Sequence, residues 1–140
     1  MAPPKITTLD QLAKARWQGA KKLPYLAKGL WALTFVETDQ VPTMAVDKYW
    51  RVYVNPEHVR ECLAESVDAL ITGVIHECLH PTLHHEQRSK TIRAADHAHW
   101  NKCGDCELVQ HIQAANIKIW SKDLTPELMG WPRDLSAEEY

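Results

Sequence analysis

Apolar residues recur at helical spacing after Ser66. Val67, Leu70, Ile71, Val74 and Cys78 form one stripe, which predicts a helix from Ser66 to about Leu83. Ser66 suits its N-cap, and Asp68 in the first turn complements the helix dipole. Upstream, Leu9, Leu12, Ala13, Trp17 and Ala20 predict a helix from Leu9 to about Lys22, with capping-box spacing at Thr8 and Gln11. Pro24 ends that segment. A second helix is predicted over 25–36, with Leu26, Leu30, Leu33 and either Val36 or Trp31 facing inward. The pattern then changes. Residues 43–47 and 51–55 are short β-type runs around a turn at 48–50, and they predict a hairpin or small antiparallel sheet. Asn55-Pro56 breaks the second run, and Pro56 fits the first turn of a short helix over 57–65. Residues 86–96 are polar and basic and read as a loop. A further helix is predicted from about Trp100 to Ile119, and Pro126, Gly130 and Pro132 punctuate an irregular tail. The sum is an α+β fold, mostly helical, with no internal repeat.

The central helix carries His76-Glu77-Cys78-Leu79-His80, which matches the pattern His-Glu-x-x-His. On a helix the two histidines stand one turn apart and can grip one metal ion, while the glutamate serves as general base on a water. At about 100° per residue they lie roughly 140–180° from the middle of the apolar stripe. The helix thus buries one face and presents His76 and His80 on the other, where Gly73 keeps the surface low beneath a cleft.

Catalytic zinc usually takes three protein ligands and leaves one position open. Asp105 is the stronger candidate for the third, because it shares a stripe with Val109, Ile112 and Asn116, and a carboxylate on an inward face must be paired or bind metal. Asn101 lies one turn before it. His84 and His85 remain alternatives: His84 sits about 40° past His80 and a turn too high, and His85 about 140° away unless the helix breaks. Pro81 makes a kink at His80 conceivable. Glu107 projects about 160° from Asp105 and is expected to face solvent. Cys103 and Cys106 form Cys-x-x-Cys near His97 and His99, but they project away from Asp105, and no second pair exists to complete a zinc site. Packing as buried thiols is the expectation.

The 140 residues suffice for one domain with its own core, and the composition, 45% hydrophobic and 24% charged, is that of a globular protein. A net charge of −2 gives no reason to expect nucleic acid or an anionic membrane as partner. No stretch has signal-peptide or transmembrane character. The four cysteines include Cys78 on the buried stripe, which argues against a disulfide scaffold and for a cytoplasmic protein with reduced thiols. The six tryptophans are expected to be core anchors.

The chain resembles the N-terminal, zincin-like domain of bacterial and phage proteins classed as metallopeptidases, which commonly carry a von Willebrand A-like domain after it. The matching stretches are 41–45, Tyr53-Val54-Asn55-Pro56-Glu57, the motif helix through His84-His85, Trp100-Asn101 followed by Asp105, and the tail element 135–140. The resemblance implies a His-His-Asp zinc site at His76, His80 and Asp105, with Glu77 as base and a strand beside the cleft. It does not imply that every member is active. Pro81 after the second histidine and the cysteines bracketing Asp105 depart from the usual pattern. Tyr140 falls in the opening turn of what reads as another helix, so the 1–140 domain is expected either to stand alone or to be the N-terminal part of a longer protein.

The expected function is zinc-dependent hydrolysis of a peptide or protein substrate, which would lie as an added strand near 43–47. His97 and His99 are candidates for stabilising the oxyanion. The competing class is a catalytically silent domain of the same fold that keeps metal for stability or binds a partner. An intact Glu77 favours catalysis, since a structural site needs no base.

Overall fold

The computed structural model of the chain describes residues 2–92 and 96–140. The first helix, α1 (Thr8–Lys22), is capped one residue earlier than predicted. The Thr7 side chain accepts from Asp10 N, and the Asp10 carboxylate accepts from Thr7 N. Leu12, Ala15 and Gly19 face the core, while Leu9 and Trp17 are about half exposed. Lys21 lies over the Trp17 ring and Arg16 over Trp31 and Phe35. These two tryptophans therefore lie at the surface beneath cations rather than anchoring the core.

The predicted second helix is only partly realised. A 3-10 turn (Pro24–Leu26) leads into α2 (Ala27–Ala32), which buries Leu26, Leu30 and Leu33 as expected. The chain then becomes a strand, β1 (Thr34–Glu37). The cause is local: Thr34, Phe35 and Val36 are β-branched or aromatic and prefer the pleated state once a partner is near. That partner is β3 (Arg51–Val54), which pairs parallel with β1 and antiparallel with β2 (Met44–Val46). The sheet is thus mixed rather than purely antiparallel, in the order β1-β3-β2. Val52 and Val54 on its central strand are fully buried, and β2 is left at an edge.

Asn55 caps α3 (Pro56–Glu65), and Ser66 caps α4 (Val67–Thr82) by accepting from Ala69 N. This central helix is the hub, against which α1, α2, α3 and β2 all pack. Leu70, Ile71, Val74, Ile75, Cys78 and Leu79 are each at most 2% exposed, and burial of such side chains is worth about 2 kcal/mol apiece. Val67, placed on this stripe by periodicity, is exposed at the helix start. On the opposite side Gly73 faces Met44 of β2.

Pro81 does not break α4 at His80; it lies inside the helix, which runs one residue past it to Thr82. The chain turns instead at His84, which takes the left-handed conformation at φ 57°. The predicted loop is largely a helix, α5 (His85–Thr91), and residues 93–95 of that prediction lie outside the described residues. Next, α6 (His97–Ala114), capped by Asp96, packs on α4. It starts earlier and ends earlier than predicted. Asn116, assigned by periodicity to its inward stripe, is exposed with φ 58°. The tail contains α7 (Pro126–Met129) and returns across α6, forming a small cluster of Trp100, Cys103 and Ala137 with Trp131 and Tyr140. Among the described residues no helix is long and apolar enough to cross a membrane.

Candidate metal centre

Two helices build the site. His76 and His80 project from one face of α4, and Asp105 meets them from α6. His76 Nε2 and His80 Nε2 each lie 3.1 Å from Asp105 Oδ1 and 3.3 Å from each other. A tetrahedral ion with bonds of about 2.0–2.1 Å needs ligand atoms about 3.3–3.4 Å apart. The triangle therefore has nearly the edges that such an ion requires. Among the described residues this is the one group of three metal-ligating side chains whose donor atoms converge.

The electrostatics reflect the same convergence. Burial alone would lower the pKa of His76, but the hydrogen bond and charge of Asp105 outweigh it, and Glu77 and Asp123 add to them. The result is raised to about 9. Burial would raise Asp105, yet His76 and His80 hold it well below the ordinary carboxylate range. His76 Nδ1 is buried without a hydrogen-bond partner among the described residues. Glu77 is 8% exposed and lines the same cleft.

That cleft has a volume of about 790 Å³. One wall is the strand edge Thr43–Val46; others come from α4, α5, the start of α6 and the segment 120–124. Gly73 and Asn101 both line it. His97 does too, whereas the other oxyanion candidate, His99, turns toward Cys103 and Trp131. Asp123 lines the cleft as well, its pKa raised by burial. Sequence reasoning missed it because it sits in an irregular segment that has no periodicity to assign it a face.

The alternative ligands fall elsewhere. His84 is spent on the left-handed turn, although its side chain borders the cleft. His85 does not join the triangle. It stands behind His80, with their Nδ1 atoms 2.8 Å apart. Glu107 corrects the sequence reading outright: it is 8% exposed, not solvent-facing. The tail folds over that side of α6, so a helical angle measured from Asp105 alone misjudged its surroundings. Its carboxylate accepts from His85 Nε2, from both terminal nitrogens of Arg88 and from Ala137 N. A buried charge is tolerated only when paired in this manner. These partners hold it far below its usual pKa against the effect of burial. Cys103 and Cys106 are buried free thiols, with Cys106 pushed up to about 11 by burial, and they do not share the triangle.

A family described as "Putative metallopeptidase domain" matches residues 7–140, and the chain belongs to that family. No curated protein and no solved structure matches the chain.

Proposed function

We propose that this family member is a zinc-dependent peptidase of zincin type, in which His76, His80 and Asp105 hold the ion and Glu77 is the general base. The observation that carries the reading is the triangle of donor atoms, with edges of 3.1, 3.1 and 3.3 Å, set in the wall of a cleft beside a free strand edge. Membership in a family described as a metallopeptidase domain implies a metal ion. Two imidazoles and one carboxylate suit zinc. Three converging ligands leave a position open, which a closed structural site does not.

When bound, zinc supplies Lewis acidity toward a peptide carbonyl and toward water. The chain supplies the remainder. Glu77 is adjacent to His76 but is not one of the three converging ligands, so its carboxylate is available to take a proton from the attacking water and return it to the leaving amine. Asp105 contributes the negative charge that offsets a divalent cation. Substrate binding follows from the sheet. The bonds from Asn55 N to Thr43 O and from Asp47 N to Arg51 O turn residues 43 and 47 toward β3. By the antiparallel alternation, Met44 and Val46 direct their N–H and C=O groups outward along the cleft. An extended peptide would pair there as an additional strand.

The test uses purified chain loaded with zinc, a quenched fluorescent casein and a mixed peptide library read by mass spectrometry. Cleavage should appear with the parent and disappear with Glu77→Gln at equal zinc content, because an amide cannot accept the proton. Equal turnover by the variant removes Glu77 from the mechanism, and failure of the parent to bind one zinc per chain removes the centre.

A further inference from the structure

We infer that His85 is a positioning residue: it accepts the Nδ1 proton of His80 and, backed by Glu107, holds that ring with the Nε2 lone pair turned toward His76 and Asp105. The inference rests on the zinc reading above and names a residue that acts on the centre without touching the ion.

The argument is one of donors and acceptors. A carboxylate held by an arginine only accepts hydrogen bonds. Glu107 Oε1 lies 3.0 Å from His85 Nε2, so that nitrogen carries a proton. A neutral His85 ring then has a bare Nδ1, which lies 2.8 Å from His80 Nδ1. The short contact needs exactly one proton between the two atoms, and His80 supplies it. In the zinc-loaded protein His80 is thereby fixed as the tautomer whose Nε2 is free to ligate. The reverse direction would leave a proton on His80 Nε2, 3.1 Å from Asp105 Oδ1, and would block it as a ligand. Histidine ligands commonly need such a partner on their second nitrogen, and loss of that partner usually costs 10–100-fold in metal affinity.

The surroundings hold His85 in place by three independent means. His84 in the left-handed turn redirects the chain so that residue 85 comes back against α6. Trp100 Nε1 donates to His85 O at 3.0 Å. Gly104 provides room for the ring: a Cβ there would come within 3.1 Å of His85 Nδ1 and 3.3 Å of its Cε1. Beyond the ring, Arg88 grips both oxygens of Glu107, and Ala137 N bonds the second. The tail thus secures the far end of a chain that begins at a ligand, which gives the element 135–140 a part in the centre.

The test compares the parent with His85→Leu and His85→Asn. Asn is the conservative variant, because its Oδ1 stands close to the place of Nδ1 and can accept the same proton. Zinc affinity is measured by competition with a chromophoric chelator. The protonation of His80 is read from long-range proton–nitrogen correlation spectra of the zinc-loaded parent. The expected results are His80 protonated at Nδ1 in the parent, a loss of about 10–100-fold in affinity for Leu, and a change of less than about threefold for Asn. Equal affinity of Leu and parent, or equal losses for Leu and Asn, would overturn the acceptor role while leaving the zinc reading intact. A parent His80 protonated at Nε2 would overturn it even if the Leu variant fails to fold. A parent that takes up no zinc fails the centre itself, and this inference falls with it.

Discussion

The metal-free protein should lose stability as pH rises through neutrality, and the loss should depend on Asp105. His76 is raised from 6.5 to about 9 in the folded chain because Asp105 holds its charged form. A folded pKa above the unfolded one stabilises most below 6.5, and that stabilisation drains away as pH approaches 9. The whole difference corresponds to about 3 kcal/mol, of which about 1.5 kcal/mol is lost between pH 6.5 and 8. Other groups titrate nearby. His85 and His58 are lowered mainly by burial, so their contribution grows as pH rises toward 6.5 and is nearly complete above it. The thiols of Cys62 and Cys78, pushed up by burial to about 12 and about 11, subtract stability above the ordinary thiol range. A comparison with Asp105→Asn cancels these contributions, because they are common to both chains. Urea unfolding in chelator-treated buffer, followed by tryptophan fluorescence at pH 6.5, 7.2 and 8.0, gives both slopes. The parent should fall relative to the variant by about 1–2 kcal/mol across this window. Parallel slopes would mean that Asp105 does not hold a proton on His76, and the electrostatic picture of the triangle would be wrong.

Zinc should show the opposite slope: below pH 9 it must displace the His76 proton, so affinity should rise about tenfold from pH 7 to 8 and about fivefold from 8 to 9. Calorimetry in buffers of different ionisation heat should show about one proton released per zinc, and a pH-independent affinity counts against the assignment. Replacing Cys103 and Cys106 together by Ala should leave one zinc per chain by plasma mass spectrometry, whereas His76→Ala should abolish or greatly weaken binding; the reverse pattern would move the site to the thiols. Glu107→Ala should destabilise the fold by about 3 kcal/mol in urea titrations, since it leaves the quarter-exposed Arg88 and the buried His85 without their shared carboxylate. A change below about 0.5 kcal/mol would show that these contacts are spent against solvent.

What could be read in the chain depended on how far apart the cooperating residues lie. The cap at Ser66, the stripe of α4 and the opposed histidines all belong to one helix, where a period of 3.6 relates every position to every other. Asp105 was reachable because it too has a helical stripe, and because an inward carboxylate demands a partner. The strand β1 was hidden because its partner β3 begins some seventeen residues later, and its own residues fit a helix pattern until that partner exists. The two exposed tryptophans failed for a related reason: hydrophobic size suggests burial, while cations flank both at the surface, Lys21 from the next turn of α1 over Trp17 and Arg16 of α1 over Trp31 of α2.

The misjudged side chains are the ones that tie the centre together. His85 was weighed as a ligand because a helix angle measures distance from His80 along one axis. The angle cannot register that a left-handed residue at His84 resets the axis before His85 begins a new helix. Glu107 was placed in solvent because its angle from Asp105 is large. That angle locates it on the side of α6 away from the triangle, and there the 135–140 tail and Arg88 of α5 close over it. Both errors concern the back of the candidate centre, where no periodic signal points. A carboxylate on the far face of the helix that carries Asp105, a basic residue one turn past a doubled histidine and an acidic tail about fifty residues beyond that basic residue are separately ordinary. They become a single unit only when three segments meet, and the resulting chain of polar contacts leads from the tail to His80. The converging triad could be read from spacing because two histidines one helical turn apart and one inward carboxylate follow a period; the groups packed behind it answer to the fold alone.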